Sequence, residues 1–490
     1  MMNLLNKRIL VFTVCAVTTF LFVHLCPVRA EGGTLDVSKP IGRTYDPVKL
    51  PLNHDLIQSL FPGGQRPLVS ELGLYRWERD RFVSIPFQVN QYEQGKIILD
   101  RRNINVEEHG GSYRKKSNLI EFSPAAQRRH LAAGDELVFL VEDIGRRLPH
   151  NNLFKQFTSG VELCITDPVN GEKGWTYLMK PGNAHRKFHK EKQPGDNLHH
   201  SLEEVRNTKG KVTKHLERIR ARNFSIMFDI TKSGSYKEFR VTEKGQGNNE
   251  NLVIEFRSTA FARLKGIPWT FRLNPGRNLL VHMIGSAEGP VELQRVVYNK
   301  VVLPLLGEQE DMSLLTTSHY YPGYLYFIGR LKLPLWLKKF VKTLDSEMTT
   351  DFNRNAMGMT WYNSNNTEGI LVDGRMSEAE RRLNSDAYQW SLLVGDQGGW
   401  ANIMNMKTEG MKAHMRLYFE DNASRKPHAI FGSTGYKITQ VLEVPELVFS
   451  TYTFSVPRTF TPQDMQQLVD LVYHPIRVEV ARRFKPLEGR

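Results

Sequence analysis

Apolar residues along this chain recur mostly at every second position, in short runs broken by turn residues. In Leu72-Gly73-Leu74-Tyr75-Arg76-Trp77 and Arg81-Phe82-Val83-Ser84-Ile85-Pro86-Phe87-Gln88-Val89-Asn90 the alternation is regular, with Glu78-Arg79-Asp80-Arg81 between them. Successive strand side chains point to opposite faces, so this predicts a β-hairpin with one solvated face. The run Gly134–Asp143 is apolar on both faces in its middle and acidic at its ends, which predicts a short strand buried on both sides. Further runs at 224–230, 251–256, 269–273, 279–284, 289–302, 415–419 and 448–454 are separated by turn residues. The expected fold is mainly β, an antiparallel β-sandwich or supersandwich with a few helices. Leu202, Val205, Val212, Leu216 and Ile219 predict a helix over 202–222. Thr461 and Pro462 open a second, C-terminal helix through Met465, Leu468, Val469 and Val472. No repeat of fixed period is found.

The first thirty residues depart from this pattern. Lys7 and Arg8 precede an apolar run from Ile9 to Val23, and Val28 and Ala30 suit a small-residue cleavage site. The run falls short of the roughly 20 residues needed to span a bilayer, so it predicts a cleaved signal peptide over 1–30. The rest divides into an N-terminal β-sandwich domain (31–180), a polar basic linker (181–222), a large β-sandwich domain (223–460) with an inserted segment at 316–400, and a C-terminal helix and tail (461–490). The linker holds His185, His189, His199, His200 and His215. Only His185 and His189 have ligand-pair spacing, and that only on a helix, so a solvated loop is expected over its first part.

Charge and cysteine content narrow the compartment. Loss of Lys7, Arg8 and Arg29 with the leader lowers the formal charge from +14 to +11 and leaves Cys164 as the single thiol. One thiol supports neither an intrachain disulfide, a CxxC redox pair nor a covalent c-type haem. Cys164 lies in a strand-like run and is expected to be buried and inert. A large exported chain with one cysteine fits the periplasm or cell surface of a bacterium. The basic charge suits an acidic polysaccharide or an envelope protein partner, while nucleic acid is disfavoured by the leader. No Walker loop, GxGxxG, GxSxG or HExxH motif is present, so no cofactor or metal is expected.

Two pieces carry a resemblance. Ile85-Pro86-Phe87-Gln88-Val89-Asn90, followed by Gly134-Asp135-Glu136-Leu137-Val138-Phe139, resembles the VPFQ(I/V)(D/N)…GDELVF pattern of bacterial secreted β-sandwich proteins, some of them carbohydrate-associated. Gly289-Pro290-Val291, leading into a strand, is similar to the Gly-Pro-Val-Arg strand of mutarotase-like and polysaccharide-lyase-type supersandwiches. The resemblance covers about 70 residues and implies a fold rather than an activity.

Two acidic strand ends and one aromatic region are the candidate chemistry. Asp135/Asp143 and Glu136/Glu142 share faces, but lie about 20–26 Å apart at roughly 3.3 Å per residue, too far to hold one ion. They are expected as charged ends in solvent. Region 316–400 gathers His319, Tyr321, Asp351, Arg354, Trp361, Trp390, Asp396 and Trp400. Rings stack on the apolar face of a sugar and planar polar groups take its hydroxyls. His319, Tyr321, Asp351, Arg354, Trp361, Asp396 and Trp400 are therefore the expected binding set. The stretch 327–342 mixes Arg330, Lys332, Lys338, Lys339 and Lys342 with Leu, Trp and Phe, as a peripheral membrane contact would. The leading reading is an exported cell-envelope protein that binds an anionic glycan or a protein partner. The alternatives are a lyase-like carbohydrate-active enzyme using 319–400, and a soluble subunit of an envelope or electron-transfer complex.

Overall fold

The computed structural model describes residues 40–61, 67–99, 122–123, 128–149, 157–181, 198–231, 235–303 and 307–484. The expected signal peptide, His185 and His189 lie outside them. The hairpin forms: Gly73–Glu78 pairs with Arg81–Ser84 around Arg79 and Asp80, both at positive φ. The alternation breaks at Ile85-Pro86-Phe87, and Gln88–Asn90 joins a different sheet, beside Glu136–Leu140. Glu136–Leu140 is buried on both faces from Leu137 onward, as the run of apolar residues requires.

The fold is mainly β and its sheets are antiparallel apart from one short pairing. The largest sheet has nine strands, in the order Leu279–Glu288, Leu293–Leu303, Gly307–Tyr320, Tyr324–Lys332, Glu446–Val456, Gly398–Met406, Trp390–Gly395, Thr360–Asn363 and Asn366–Leu371. Region 316–400 is therefore no insertion. Its strands form much of this sheet, and Val341–Phe352 lies inside a second, five-stranded one. Alternation assigns the two faces. Tyr320, Leu325, Leu393 and Trp400 share one core with Met348, Phe352 and Tyr436 of the five-stranded sheet and with Phe224 and Phe239 of a four-stranded sheet. Tyr321, Tyr324, Leu392, Ala401 and Phe454 face the other way, against Val138, Leu140 and Val291. The helix Met465–Tyr473 packs on that face through Met465, Leu468, Val469, Leu471 and Val472, after a capping box formed by Thr461 and Asp464.

The stretch expected as linker and helix is a hairpin: Leu198–Arg206 pairs with Val212–Ala221. Asn207 explains the reversal. Its side-chain oxygen accepts from the backbone N–H of Lys209 and Lys211, and Gly210 takes the positive φ of the turn. His199, His200 and His215 thus sit on strands, and the loop expected around His185 and His189 lies outside the described residues. The acidic ends of the 134–143 run also differ from expectation. Asp135 is fully buried, accepting from the backbone N–H of Tyr92 and Ala132 and pairing with Arg128. Cys164 is buried in the strand Phe157–Thr166. The described residues, all from Pro40 onward, fall within one compact unit. Arg43 helps tie it together, bridging Asp46 and Asp167 and donating to the carbonyl of His474.

A candidate ligand site around Glu292

Glu292 follows the Gly289-Pro290-Val291 turn and leads into Leu293–Leu303, and its side chain is fully buried. Five side chains donate to its carboxylate. Lys49 Nζ (3.0 Å), His319 Nδ1 (2.7 Å) and the Tyr321 hydroxyl reach Oε1, while Asn90 Nδ2 (2.6 Å) and Gln294 Nε2 (3.0 Å) reach Oε2. Gln88 holds the turn: its Oε1 accepts from the backbone N–H of Val291 and Glu292, and its Nε2 donates to Asn90. Gly289 makes this possible, because a Cβ there would stand 2.2 Å from Gln88 Oε1. The two sequence pieces that carry the resemblance, Gln88-Val89-Asn90 and Gly289-Pro290-Val291, thus meet at one buried acid.

Electrostatics follow from the geometry. Burial alone would raise the Glu292 carboxyl, but Lys49, His319 and Tyr321 outweigh it and hold it well below the usual carboxylate range. Burial lowers the His319 imidazole despite Glu292 beside it, so the ring is neutral at pH 7 and must carry its proton on Nδ1 to donate. Burial and the Glu292 charge push the Tyr321 phenol well above its ordinary value. Burial opposes the Lys49 ammonium, yet Glu292, Tyr326 and Glu136 raise its pKa. With five donors the Glu292 carboxylate has no lone pair to spare. It organises its neighbours rather than meeting a ligand itself.

The neighbours reach outward. Across the nine-stranded sheet Gln294, His319, Tyr326, Tyr452, Ile403 and Trp390 stand in one register row. The His319 and Tyr326 rings stack at 4.4 Å, and Tyr326 and Tyr452 at 5.0 Å. Tyr326, Tyr452 and Tyr92 are partly exposed. So are the side chains of Lys49 (26 %) and Glu136 (20 %), whose charged groups lie 3.6 Å apart. Glu136 Oε2 is buried and has no hydrogen-bond partner among the described residues. Burial and the Glu136 charge push the Tyr92 phenol up to about 12, so it stays a donor.

Of the seven expected binding residues, the structure brings together His319 and Tyr321 at Glu292. Trp361 and Trp400 lie buried on the opposite face of the sheet, against Phe419 and Phe352 respectively. Asp351 is buried in the five-stranded sheet, accepting from Ser433 (2.6 Å) and Thr349 (3.2 Å), with Arg257 at 3.5 Å. Arg354 and Asp396 are exposed on separate turns. Glu292 itself was missed by reading the sequence, because a carboxylate in a strand is ordinarily a solvated one. The available signal was Glu292 and Gln294 sharing one face of the strand, directly after the Gly289-Pro290 turn. Among the described residues no group of His, Cys, Asp and Glu is placed to hold a metal ion, and no helix is long and apolar enough to cross a membrane.

In comparisons with known proteins, the sequence matches no protein family and no curated protein. Among solved structures, an alpha-mannosidase from Enterococcus faecalis V583 superposes over 91 % of this chain with a TM-score of 0.45 and 10 % identity. The chain spans 45 % of that protein's length.

Proposed function

We propose that this chain is an exported cell-envelope protein that binds an uncharged carbohydrate at the mouth of the Glu292 network. The observation that carries the reading is the stacked, partly exposed Tyr326–Tyr452 pair beside Lys49 and Glu136. The Tyr326 ring is covered on its two faces by His319 and Tyr452, so the pair meets a ligand with its apolar ring edges and polar hydroxyl tips. Lys49 donates to ligand oxygens, and the partly exposed Glu136 carboxylate lies beside it. At this mouth one ammonium faces two carboxylates, Glu136 and Glu292, a balance that favours a neutral glycan over the acidic polysaccharide that the net charge suggests. Binding is favoured over turnover: a lyase base must shed its proton near neutral pH, whereas Tyr321 is fully buried with its pKa raised. Export rests on the sequence of residues 1–30 alone.

A glycan array probed with the full chain tests the reading. Retention of at least one neutral glycan is expected, weakened tenfold or more in Tyr452→Ala and restored in Tyr452→Phe. No neutral glycan retained, or equal retention by Tyr452→Ala, would overturn it.

A further inference from the structure

A second surface, built from two loops at one end of the five-stranded sheet, combines exposed apolar side chains with concentrated positive charge. The first loop, 265–269, joins Val253–Leu264 to Thr270–Leu273. The second runs from Leu333 through the short helix Leu337–Phe340 into Val341–Phe352. Pairing of Leu264 with Val341 sets the loops side by side. Lys265 fastens them, its backbone N–H donating to the Phe340 carbonyl (2.8 Å) and its Nζ to the Lys338 carbonyl (2.7 Å).

Leu337 is buried beneath this tip, while Trp269 (61 % exposed), Leu335 (77 %) and Phe340 (54 %) point outward. Together they account for three of the eight large apolar side chains exposed among the described residues. Apolar side chains exposed singly are ordinary; a group on adjoining loops marks an interaction surface. Arg263, Lys265, Arg272, Lys332, Lys338, Lys339 and Lys342 surround them, all exposed, and none forms an ion pair among the described residues. Residues 256–287 and 312–344, which contain both loops, include no Asp or Glu. The tip is therefore strongly cationic, with Glu446, opposite Lys332 on the neighbouring strand, at its margin.

We infer that this tip docks onto an anionic phospholipid bilayer, with Trp269, Leu335 and Phe340 entering the interface and the flanking lysines and arginines meeting the headgroups. Charge complementarity selects the partner: basic groups next to an anionic leaflet gain from its surface potential. The apolar groups distinguish a bilayer from a soluble polyanion, since only a bilayer provides hydrocarbon to cover them. Tryptophan suits the boundary, with an apolar body and one N–H donor. Pro268 and Pro334 fix their local φ, so little backbone freedom is lost on docking. The continuous amphipathic helix that Pro334 rules out is not needed; two fastened loops present the same pattern.

Co-sedimentation of the full chain with vesicles of phosphatidylcholine, alone or mixed equally with phosphatidylglycerol, tests this. The expected result is sedimentation with the anionic vesicles only, weakened by high salt because the Debye length shrinks. The partition coefficient should fall roughly tenfold or more in Trp269→Ala/Leu335→Ala/Phe340→Ala, whose residues are exposed and whose melting temperature should match the parent. Lys338→Gln/Lys339→Gln should weaken binding with the apolar groups intact, which keeps the test valid if the triple variant folds poorly. Any membrane affinity of the apolar run 9–23 is common to all variants and cancels in the comparison. No sedimentation with anionic vesicles, or equal sedimentation by both variants, overturns the proposal. So does capture by a soluble acidic polysaccharide without vesicle binding.

Discussion

A one-residue offset decides what a side chain does in a sheet buried on both faces. Trp400 and Ala401 are neighbours, yet Trp400 packs on Phe352 in the main core while Ala401 faces the helix Met465–Tyr473. Aromatic residues among polar ones resemble a binding strip in the sequence, and nothing in their order tells which face will be covered. The structure reverses the expectation for Trp400: its truncation to alanine should cost about 3–5 kcal/mol in chemical denaturation. Arg354→Ala, at an exposed turn, should change stability by no more than about 0.5 kcal/mol. Gly289 gives a sharper test of the Glu292 network. Gly289→Ala would displace Gln88 and strand the amides of Val291 and Glu292. A loss of about 1–3 kcal/mol is expected, and a melting curve identical to the parent would count against this role for Gln88.

Element by element, local chemistry was readable where it is self-contained. The hairpin turn at Arg79-Asp80, the cap at Thr461-Pro462 and the doubly buried strand at Glu136–Leu140 each follow from nearby residues. The hairpin Leu198–Ala221 was not, because Leu202, Val205, Leu216 and Ile219 also fit a helical spacing, and two of its buried polar residues, His200 and Glu217, find partners in later strands, Glu288 and Arg295. His200 illustrates this, placed between Glu217 (2.9 Å) and Glu288 (2.7 Å), with Arg295 on the far oxygen of Glu217. Burial pulls its pKa down, but the two carboxylates outweigh burial and push it up to about 9. A histidine raised in the folded state contributes stability that is complete below its unfolded value of about 6.5 and fades as pH rises toward 9. Denaturation midpoints should therefore decline over that window, by an amount of order 1–3 kcal/mol. In His200→Gln that decline should be absent. A parallel decline in both proteins would assign it to other groups.

At the scale of the whole molecule, Glu292 joins strands that are far apart in sequence: Lys49, Gln88 and Asn90 on one side, His319 and Tyr321 on the other. The fold class was legible from alternation alone. This meeting point was not, since it depends on which sheets stack. Removing one partner of a buried ion pair leaves the other uncompensated, so Glu292→Gln should cost about 3–5 kcal/mol. Lys49→Met combined with Glu292→Gln should cost less than the sum of the two, measured as a double-mutant cycle. The strand Arg477–Phe484 links sequence order to time. It pairs with Phe157–Thr166 and so completes the sheet containing the early hairpin. A ribosome adding roughly 5–20 residues per second makes that early strand about 15–60 s before its final neighbour. Through that interval a row of amide and carbonyl groups stands open, ready to pair with any passing chain. Whatever shields the growing chain during that wait has as much say in the yield of native protein as the contacts of the finished fold.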